Sequence, residues 1–292
     1  MSNSKTKFTL SAKASRRITN TVVYIILILM TVIWLFPFFG IVLESFRVES
    51  TGQKSYIIPQ VFGFDNYKYL FTGEDGNSFM KWFINTATVG VITAFVQTFF
   101  VISMSYALSR LRFKMRKWLM NFMLILGMFP GFLTLLLIYK VFADLGLTES
   151  NASVGLIIVY CASSGMGYYV SKGFFDTIPR SLDEAARVDG ATRFQVLYKV
   201  ILPLSKPIVI YTILMGFMAP WGDYMMANWL SHQVESGQNV ATGMMEWMGR
   251  NLEQHYTHFC AGGVIVAIPV ITVFLLLQKY YVEGVTGGAV KG

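Results

Sequence analysis

Long apolar stretches separated by polar or basic segments dominate the sequence. About 20 apolar residues are enough for a helix to cross the hydrocarbon core of a bilayer. Six stretches reach that length, with the bounds Asn20–Leu43, Trp82–Ser109, Trp118–Tyr139, Ala152–Ser171, Pro207–Leu230 and Phe259–Leu277. Four of them contain a proline, and Pro37 predicts a kink in the first. The pattern therefore predicts an all-α polytopic membrane protein with six transmembrane helices.

The charges between these stretches set the orientation. Basic residues concentrate on the cytoplasmic side of membrane proteins. With a cytoplasmic N-terminus, 18 of the 24 Lys and Arg residues lie inside and 11 of the 16 acidic residues lie on the outer side. We therefore expect both termini in the cytoplasm. The predicted segments are a cytoplasmic N-terminal segment (1–19), a membrane anchor (20–45), an extracytoplasmic loop (46–81), a membrane domain (82–281) with a cytoplasmic loop (172–206), and a cytoplasmic tail (282–292).

Composition agrees with this assignment. The chain is 54% hydrophobic and 14% charged, which argues against a soluble domain. The net charge of +8 comes from basic residues in the loops that we predict to be cytoplasmic, so it does not indicate nucleic-acid binding. The first apolar run is too long for a cleaved signal segment, and we expect it to remain as an anchor. Cys161 and Cys260 lie in or beside apolar stretches and are interpreted as packing residues.

The charged segment Ser181–Pro207 stands out among the apolar stretches. Ser181 with Glu184, and Thr192 with Gln195, have the spacing of capping boxes and predict two short helices. Gly190 is a natural stop for the first helix, and Pro203 should end the second. Two adjacent alanines, Ala185 and Ala186, predict a small, smooth surface that another protein could approach closely.

This segment carries a specific family pattern. Glu184, Ala185, Ala186, Gly190, Val200, Leu202 and Pro203 resemble the cytoplasmic coupling motif of ATP-binding-cassette importer permeases, EAA-x3-G-x9-I-x-LP, with Val200 in place of Ile. The resemblance implies a type I importer transmembrane domain. It also assigns contact with a partner ATPase to Glu184, Ala185, Ala186, Asp189, Gly190, Leu202 and Pro203.

Three further patterns narrow the resemblance. Asn85, the run Ser105–Arg110 and Phe113 are similar to the N-S…A-Y-A-L-A-R-x-x-F pattern of carbohydrate importer permeases. Trp221, Asp223 and Tyr224 resemble their W-N-D/E-F/Y segment, although Gly222 replaces the Asn. The C-terminal run 278–292 is close to their Q-R-x-x-V-x-G-L-T-x-G-A-V-K-G ending.

Together these patterns resemble the permeases of maltose-type oligosaccharide importers. The family implies sugar import across the bacterial inner membrane. It also implies a second permease subunit, two ATPase subunits and an extracytoplasmic sugar-binding protein as partners. ATP and Mg²⁺ would then bind to the partner ATPases, and this chain would bind no cofactor. A different glycoside or glycerol phosphate remains open as the substrate.

Other function classes lack their sequence signals. The chain has no G-x-x-x-x-G-K-[ST] loop, no H-E-x-x-H and no G-x-S-x-G, so we expect neither an ATPase nor another enzyme. A secondary transporter would need a charged coupling site deep within several spans, and none is seen. His255 and His258, with Glu253 and Cys260 near, could be imagined as a metal cluster, but a solvated loop is the favoured interpretation.

Polar and aromatic residues near the outer end of the fifth span are candidates for a sugar path. The set comprises Trp221, Asp223, Tyr224 and Asn228, and Met128 with Phe129 in the third span could form part of a gate. The alternatives are a hydrated interfacial acid for Asp223, belt anchoring for Trp229 and ordinary packing for Met128 and Phe129.

The loop 231–257 is predicted to expose Met244, Met245, Trp247 and Met248 to the binding protein.

Overall fold

A computed structural model describes residues 12–48, 56–72, 78–162, 165–232, 234–250 and 252–289. The predictions for residues 1–11 and 290–292 lie outside these ranges. The helices are α1 (Ala12–Ser45), α2 (Asp65–Thr72), α3 (Phe79–Arg110), α4 (Arg116–Gly127), α5 (Gly131–Asp144), α6 (Ala152–Ala162), α7 (Gly165–Asp176), α8 (Arg180–Val188), α9 (Arg193–Val196), α10 (Leu202–Leu204), α11 (Lys206–Gly222), α12 (Met225–Ser231), α13 (Val240–Arg250) and α14 (Leu252–Ala289). The described chain is thus helical, as predicted.

Three helices are long and apolar enough to cross a membrane by themselves. They occupy Arg16–Ser45, Phe79–Arg110 and His255–Tyr280, and they contain the first, second and sixth predicted spans. Two bent pairs add up to two more: Leu133–Asp144 with Glu149–Ala162, bent by 111°, and Arg193–Leu204 with Lys206–Gly222, bent by 86°. The described residues therefore hold three to five candidate spans, and the count of six stays a prediction.

The third and fifth spans were wrongly predicted as single helices. The third is divided between α4 and α5, because Pro130 adopts an extended ψ of 124° and precedes α5 as its N-cap. The fourth covers α6 and the first part of α7, and residues 163 and 164 between them lie outside the described residues. The fifth breaks at Asp223, whose ψ of 101° ends α11 before α12 begins. The third and fifth apolar stretches are long enough to span, but the helix is interrupted inside each of them.

Helix α3 lies at the centre of the fold, where it packs against α11, α7 and α6. Glycines allow its close approach to α11: a Cβ at Gly216 would lie 2.9 Å from the Cα of Ala94, and one at Gly90 would lie 2.9 Å from the carbonyl oxygen of Phe217. Larger residues at either position would push the two helices apart. The core of the molecule is therefore built around an α3–α11 contact.

Helix α1 packs against α14 but leaves most of its length uncovered. Every residue from Arg16 to Phe39 is exposed, so this part of the helix buries its apolar sides in lipid or against another protein. Its outer end is fixed by Arg47, which is buried, pairs with Glu44 at 2.7 Å and donates to the carbonyl oxygen of Tyr56 at 2.8 Å. The predicted anchor is thus joined to the rest of the chain through its outer end and α14.

The outer connection between α12 and α14 differs from its prediction as an exposed loop. It contains helix α13, and Met244 and Trp247 of that helix are buried in a cluster with Phe79 and Trp82. Met245 is exposed, as predicted, and Met248 is half-buried. The prediction was wrong for Met244 and Trp247 because hydropathy identifies apolar residues without showing which side of an amphipathic helix they occupy.

The histidine pair also lies in a helix instead of a solvated loop. His255 and His258 are half-buried at the start of α14, and the ring of His258 stacks on Tyr69 with centroids 3.9 Å apart. The side chain of Glu253 lies outside the described residues. The described residues contain no group of three His, Cys, Asp or Glu side chains that could hold a metal ion. Cys161 and Cys260 are buried, as predicted for packing residues.

Candidate coupling site and substrate path

Helix α8 contains the Glu184-Ala185-Ala186 motif and starts one residue before the predicted cap. Pro179 occupies the N-cap position and the helix begins at Arg180, so Ser181 already lies inside the first turn. The predicted Ser181–Glu184 capping box was therefore wrong: proline has φ near −65° and can begin a helix without a side-chain cap.

The end of α8 follows its prediction. Gly190 has φ of +84°, a left-handed conformation that favours glycine, and its N–H donates to the carbonyl oxygen of Arg187 at 3.1 Å. Two residues later the predicted Thr192–Gln195 capping box is confirmed, with hydrogen bonds of 2.7 and 3.3 Å. The glycine reverses the chain, and the box starts α9.

The segment after α9 is longer and less regular than predicted. It passes through a π-helical turn (Leu197–Ile201) into α10, which ends at Leu204, one residue beyond Pro203. The chain then turns by 86° into α11. Leu202 and Val200 are partly buried against a cluster that includes Phe175 and Ile201, whereas Pro203 is exposed. We call residues 172–206 the coupling segment. The last part of the motif thus joins the coupling segment to α11.

The two sides of α8 have different surroundings. Asp183 and Ala186 are half-buried and face the protein, and Ala186 packs against the buried cluster that contains Phe175. Leu182, Ala185 and Val188 recur every three residues on the other side and are exposed. Val188 is 87% exposed, and Phe194 just after the turn is 70% exposed. We call Leu182, Ala185, Val188 and Phe194 the coupling face.

The remaining motif residues are open to solvent. Glu184 and Asp189 are exposed, and Asp189 is the C-cap of α8. A cavity of about 400 Å³ lies between α8 and the inner end of α3, and it is lined largely by arginines. Its lining includes Arg110, Arg112, Arg180, Arg187 and Arg193 together with Asp183 and Glu184. The site is thus positively charged, with an apolar face beside it.

Polar contacts join α3 to this site. Arg110, at the end of α3, donates to the carbonyl oxygens of Phe175 and Ile178, both at 2.9 Å, and its Nε lies 3.3 Å from Asp183. Burial raises the pKa of Asp183 above its ordinary value, and the positive charges of Arg110 and Arg180 oppose that rise.

Two further residues of α3 reach the same region. Ser109 donates to Asp176 at 2.6 Å, and Tyr106 donates to the carbonyl oxygen of Arg193 at 3.0 Å. Burial tends to raise the pKa of Asp176, but hydrogen bonds from Lys172 and Ser109 outweigh it and leave the pKa below its ordinary value. The run Ser105–Arg110 was identified from the sequence only through its similarity to a family pattern, and these contacts were not predicted. The available signal was the series of polar side chains at the inner end of an apolar helix.

The candidate path residues do not form one site. Trp221 is only 6% exposed and packs between Phe83 and Phe217 in the core. Asp223 accepts a hydrogen bond from Tyr160 at 2.7 Å and caps α12 by accepting from the N–H of Met226 at 3.1 Å. Both residues shape the junction between α11 and α12.

Asn228 does lie at a cavity. Together with Tyr139, Trp229 and His232 it lines a space of about 350 Å³ near the outer end of α5. The rings of Tyr139 and Trp229 meet edge to face, with centroids 5.5 Å apart. Tyr224 is exposed nearby in sequence, just before α12. This cavity offers aromatic surface and an amide group.

Met128 and Phe129 occupy a different place. They form the break between α4 and α5, and Met128 is 83% exposed. The Gly127 and Gly131 positions beside them have nothing within 4 Å of an added Cβ, so the described residues make no close helix contact there. A gating role remains a prediction.

The helical fold, with three to five candidate spans among the described residues, is that of a membrane-embedded protein. The chain belongs to the family of binding-protein-dependent transport system inner membrane components, whose pattern matches residues 100–287. It is therefore an inner-membrane protein of an ATP-binding-cassette transport system.

Curated relatives align along almost the whole chain. The galactooligosaccharides transport system permease protein GanQ of Bacillus subtilis is 33% identical over 92% of this chain and 94% of its own length. The maltodextrin permease MalD of Streptococcus pneumoniae is 33% identical over 97% and 99%, and the maltose/maltodextrin permease MalG of Escherichia coli is 32% identical over 93% and 95%.

A solved structure has the same fold. A chain of a bacterial ABC transporter that imports the acidic polysaccharide alginate superposes with a TM-score of 0.76 and 25% identity, covering 94% of this chain and all of that one. This likeness agrees with the predicted type I importer architecture.

Proposed function

We propose that this chain is one of two permease subunits of an importer that carries an oligosaccharide inward across the cytoplasmic membrane. A second permease subunit, two ATPase subunits and an extracytoplasmic sugar-binding protein complete the complex. ATP and Mg²⁺ bind to the ATPase subunits, and this chain binds no cofactor of its own.

The coupling face carries the ATP-driven part of the proposal. Its four members are exposed apolar or small residues on a segment that we predict from the charge pattern to be cytoplasmic. Apolar surface that leaves water on contact with a partner stabilises an interface by about 25 cal/mol per Å². Glu184 and Asp189 are exposed beside the coupling face and are available to basic residues of the partner. An ATPase groove of matching shape is the partner that this combination fits.

Two observations support the proposed substrate class: the names of the relatives and the lining of one cavity. Relatives named for galactooligosaccharides and maltodextrins, and a structure named for alginate, all concern chains of several sugar units. The cavity of Asn228, Trp229 and Tyr139 has ring faces for sugar C–H groups and an amide for hydroxyls. We assign it to the outer part of the sugar path, with Met128 and Phe129 as gate residues. Trp221 and Asp223 support the path by fixing the α11–α12 junction.

The test fills the coupling face with a bulky side chain. Ala185→Trp projects outward and should block a groove that fits a methyl group, whereas the fold of this chain should be unaffected because Ala185 is exposed. We expect normal membrane insertion, with recovery of the ATPase subunit through a tag on this chain reduced about tenfold, for a loss of about 1–3 kcal/mol. Uptake of labelled maltodextrins and galactooligosaccharides, measured in parallel, should fall with it.

Lys114→Trp is the matched control. Lys114 is exposed in another inner segment, so the same large side chain there should leave ATPase recovery and uptake unchanged. Normal recovery with Ala185→Trp would remove the coupling face from the interface. Failure of the unsubstituted complex to take up either sugar class would overturn the substrate assignment.

A further inference from the structure

We propose that α3 is the rigid element that relays movement between the coupling segment and the outer surface, and that Arg110 is the positioning residue at its inner end. The proposal rests on the proposed function, since it requires a partner ATPase that moves α8. Tyr106, Ser109 and Arg110 form what we call the inner clamp.

Arg110 connects three parts of the coupling segment. Its guanidinium donates to the carbonyl oxygen of Phe175 in α7 and to that of Ile178 in the turn before α8, and its Nε faces Asp183 within α8. The side chain of Arg110 is only 4% exposed, so these contacts are shielded from water and from salt. A displacement of α8 therefore acts directly on the end of α3.

Tyr106 and Ser109 extend the clamp on both sides of Arg110. Tyr106 reaches the carbonyl oxygen of Arg193 at the start of α9, beyond the Gly190 turn, and Ser109 reaches Asp176 at the end of α7. In the opposite direction, Arg180 at the start of α8 donates to the carbonyl oxygen of Ser109 at 3.3 Å. The contacts thus hold α7, α8 and α9 to one end of one helix.

The other end of α3 holds the outer connection between α12 and α13. Asn85 donates to the carbonyl oxygens of Ser236 and Gln238 at 3.0 and 3.1 Å, and the hydroxyl of Thr86 accepts from the N–H of Val240 at 2.8 Å. Between these ends α3 is an uninterrupted helix from Phe79 to Arg110 without proline. At a rise of 1.5 Å per residue it is about 48 Å long, which spans the membrane. Binding at the outer surface and movement of α8 therefore act on the same rod.

The experiment separates attachment of the ATPase from its stimulation. Arg110→Met removes the charge and the donors of the clamp but leaves the coupling face intact. In the complex isolated with its ATPase and reconstituted in lipid, we expect normal ATPase recovery and basal hydrolysis. Stimulation of hydrolysis by the sugar-loaded binding protein should fall about tenfold or more, as for loss of buried hydrogen bonds to a charged group.

Conservative variants decide between positioning and a general loss of structure. Arg110→Lys keeps the charge and one donor group and should recover part of the stimulation. Lys114→Met removes a cation outside the clamp and should behave as the unsubstituted complex. The double variant Arg110→Met with Asp183→Asn should lose less stimulation than the sum of the two separate losses, because both substitutions remove the same Arg110–Asp183 contact. If Arg110→Met fails to accumulate in the membrane, Tyr106→Phe and Ser109→Ala provide the same test.

Normal stimulation with Arg110→Met overturns the relay. It is also overturned if ATPase recovery, basal hydrolysis and stimulation all fall in the same proportion, since this is the result of a purely structural role. Absence of any stimulation in the unsubstituted complex is a different result, which contradicts the proposed function itself.

Discussion

Single positions in α8 decide which surface belongs to this chain and which is available to a partner. Ala186 packs against the molecule's own cluster, whereas its neighbour Ala185 faces outward. The sequence showed both as small residues in one motif, and only the start of the helix at Arg180 fixes which of them turns outward. The capping spacing of Thr192 and Gln195 did predict the local structure, whereas the same spacing at Ser181 and Glu184 did not, because Pro179 starts α8 earlier.

Gly190 gives a sharp test of backbone strain. Its φ of +84° is costly for residues with a Cβ, yet nothing lies within 4 Å of the Cβ that alanine would add. Gly190→Ala should therefore destabilise the turn by about 1–2 kcal/mol through its backbone alone. We expect a lower midpoint of thermal unfolding for the purified complex and reduced ATPase recovery.

Two variants complete that test. Gly190→Asn should be milder, since asparagine tolerates the left-handed region better than alanine. Gly173→Ala, in α7, also adds a Cβ with nothing within 4 Å, but at a φ that is not positive, and should leave the midpoint unchanged or higher. Equal effects at Gly173 and Gly190 would show that the strain at Gly190 is unimportant.

At the scale of elements, hydropathy predicted the uninterrupted helices and failed where the backbone turns. The predicted spans Trp82–Ser109 and Phe259–Leu277 lie within single helices. The third predicted span fails at Pro130 and the fifth at Asp223, because a sum of side-chain hydropathies contains no information on backbone direction. The same limit hid α13, where Trp247 turns inward. A short polar residue or a proline inside an apolar run was the available warning.

The connection between α12 and α13 provides a topology test with a built-in contrast. Ser236 is exposed, whereas Gln238, two residues away, is only 2% exposed and its side chain contacts Glu246. A cysteine at Ser236 should react with an impermeant thiol reagent in intact cells, or in cells whose outer membrane has been permeabilised. A cysteine at Gln238 should react much more slowly.

The inner face supplies the control for that labelling. A cysteine at the exposed Lys114 should react only after the inner membrane is opened. The unsubstituted chain gives the background, which should be low because Cys161 and Cys260 are buried. The orientation is wrong if Lys114→Cys labels from outside and Ser236→Cys does not.

At the scale of the whole molecule, α3 connects two surfaces that lie at its opposite ends. The inner surface is basic around α8, and the outer connection is fixed to α3 by Asn85 and Thr86. The sequence predicts which side of the membrane each surface faces, because basic residues concentrate on the cytoplasmic side. It could not show that α3 touches both, since that depends on the three-dimensional packing of segments about 70 to 150 positions apart.

Isolated from its partners, this chain should not use ATP. No phosphate-binding loop occurs in its sequence, so the purified chain should bind and hydrolyse ATP no more than an unrelated membrane protein does. Binding of a labelled ATP analogue and phosphate release measure both activities. Saturable nucleotide binding above that reference would contradict the division of labour between permease and ATPase subunits.

The exposed sides of α1 have a consequence for biosynthesis. This helix leaves the ribosome before the others, and every residue from Arg16 to Phe39 is exposed. It can therefore enter the bilayer early without delaying the folding of the helices that follow. Lipid is then the first molecule to contact the exposed sides of α1, and any protein that later covers them must displace that lipid.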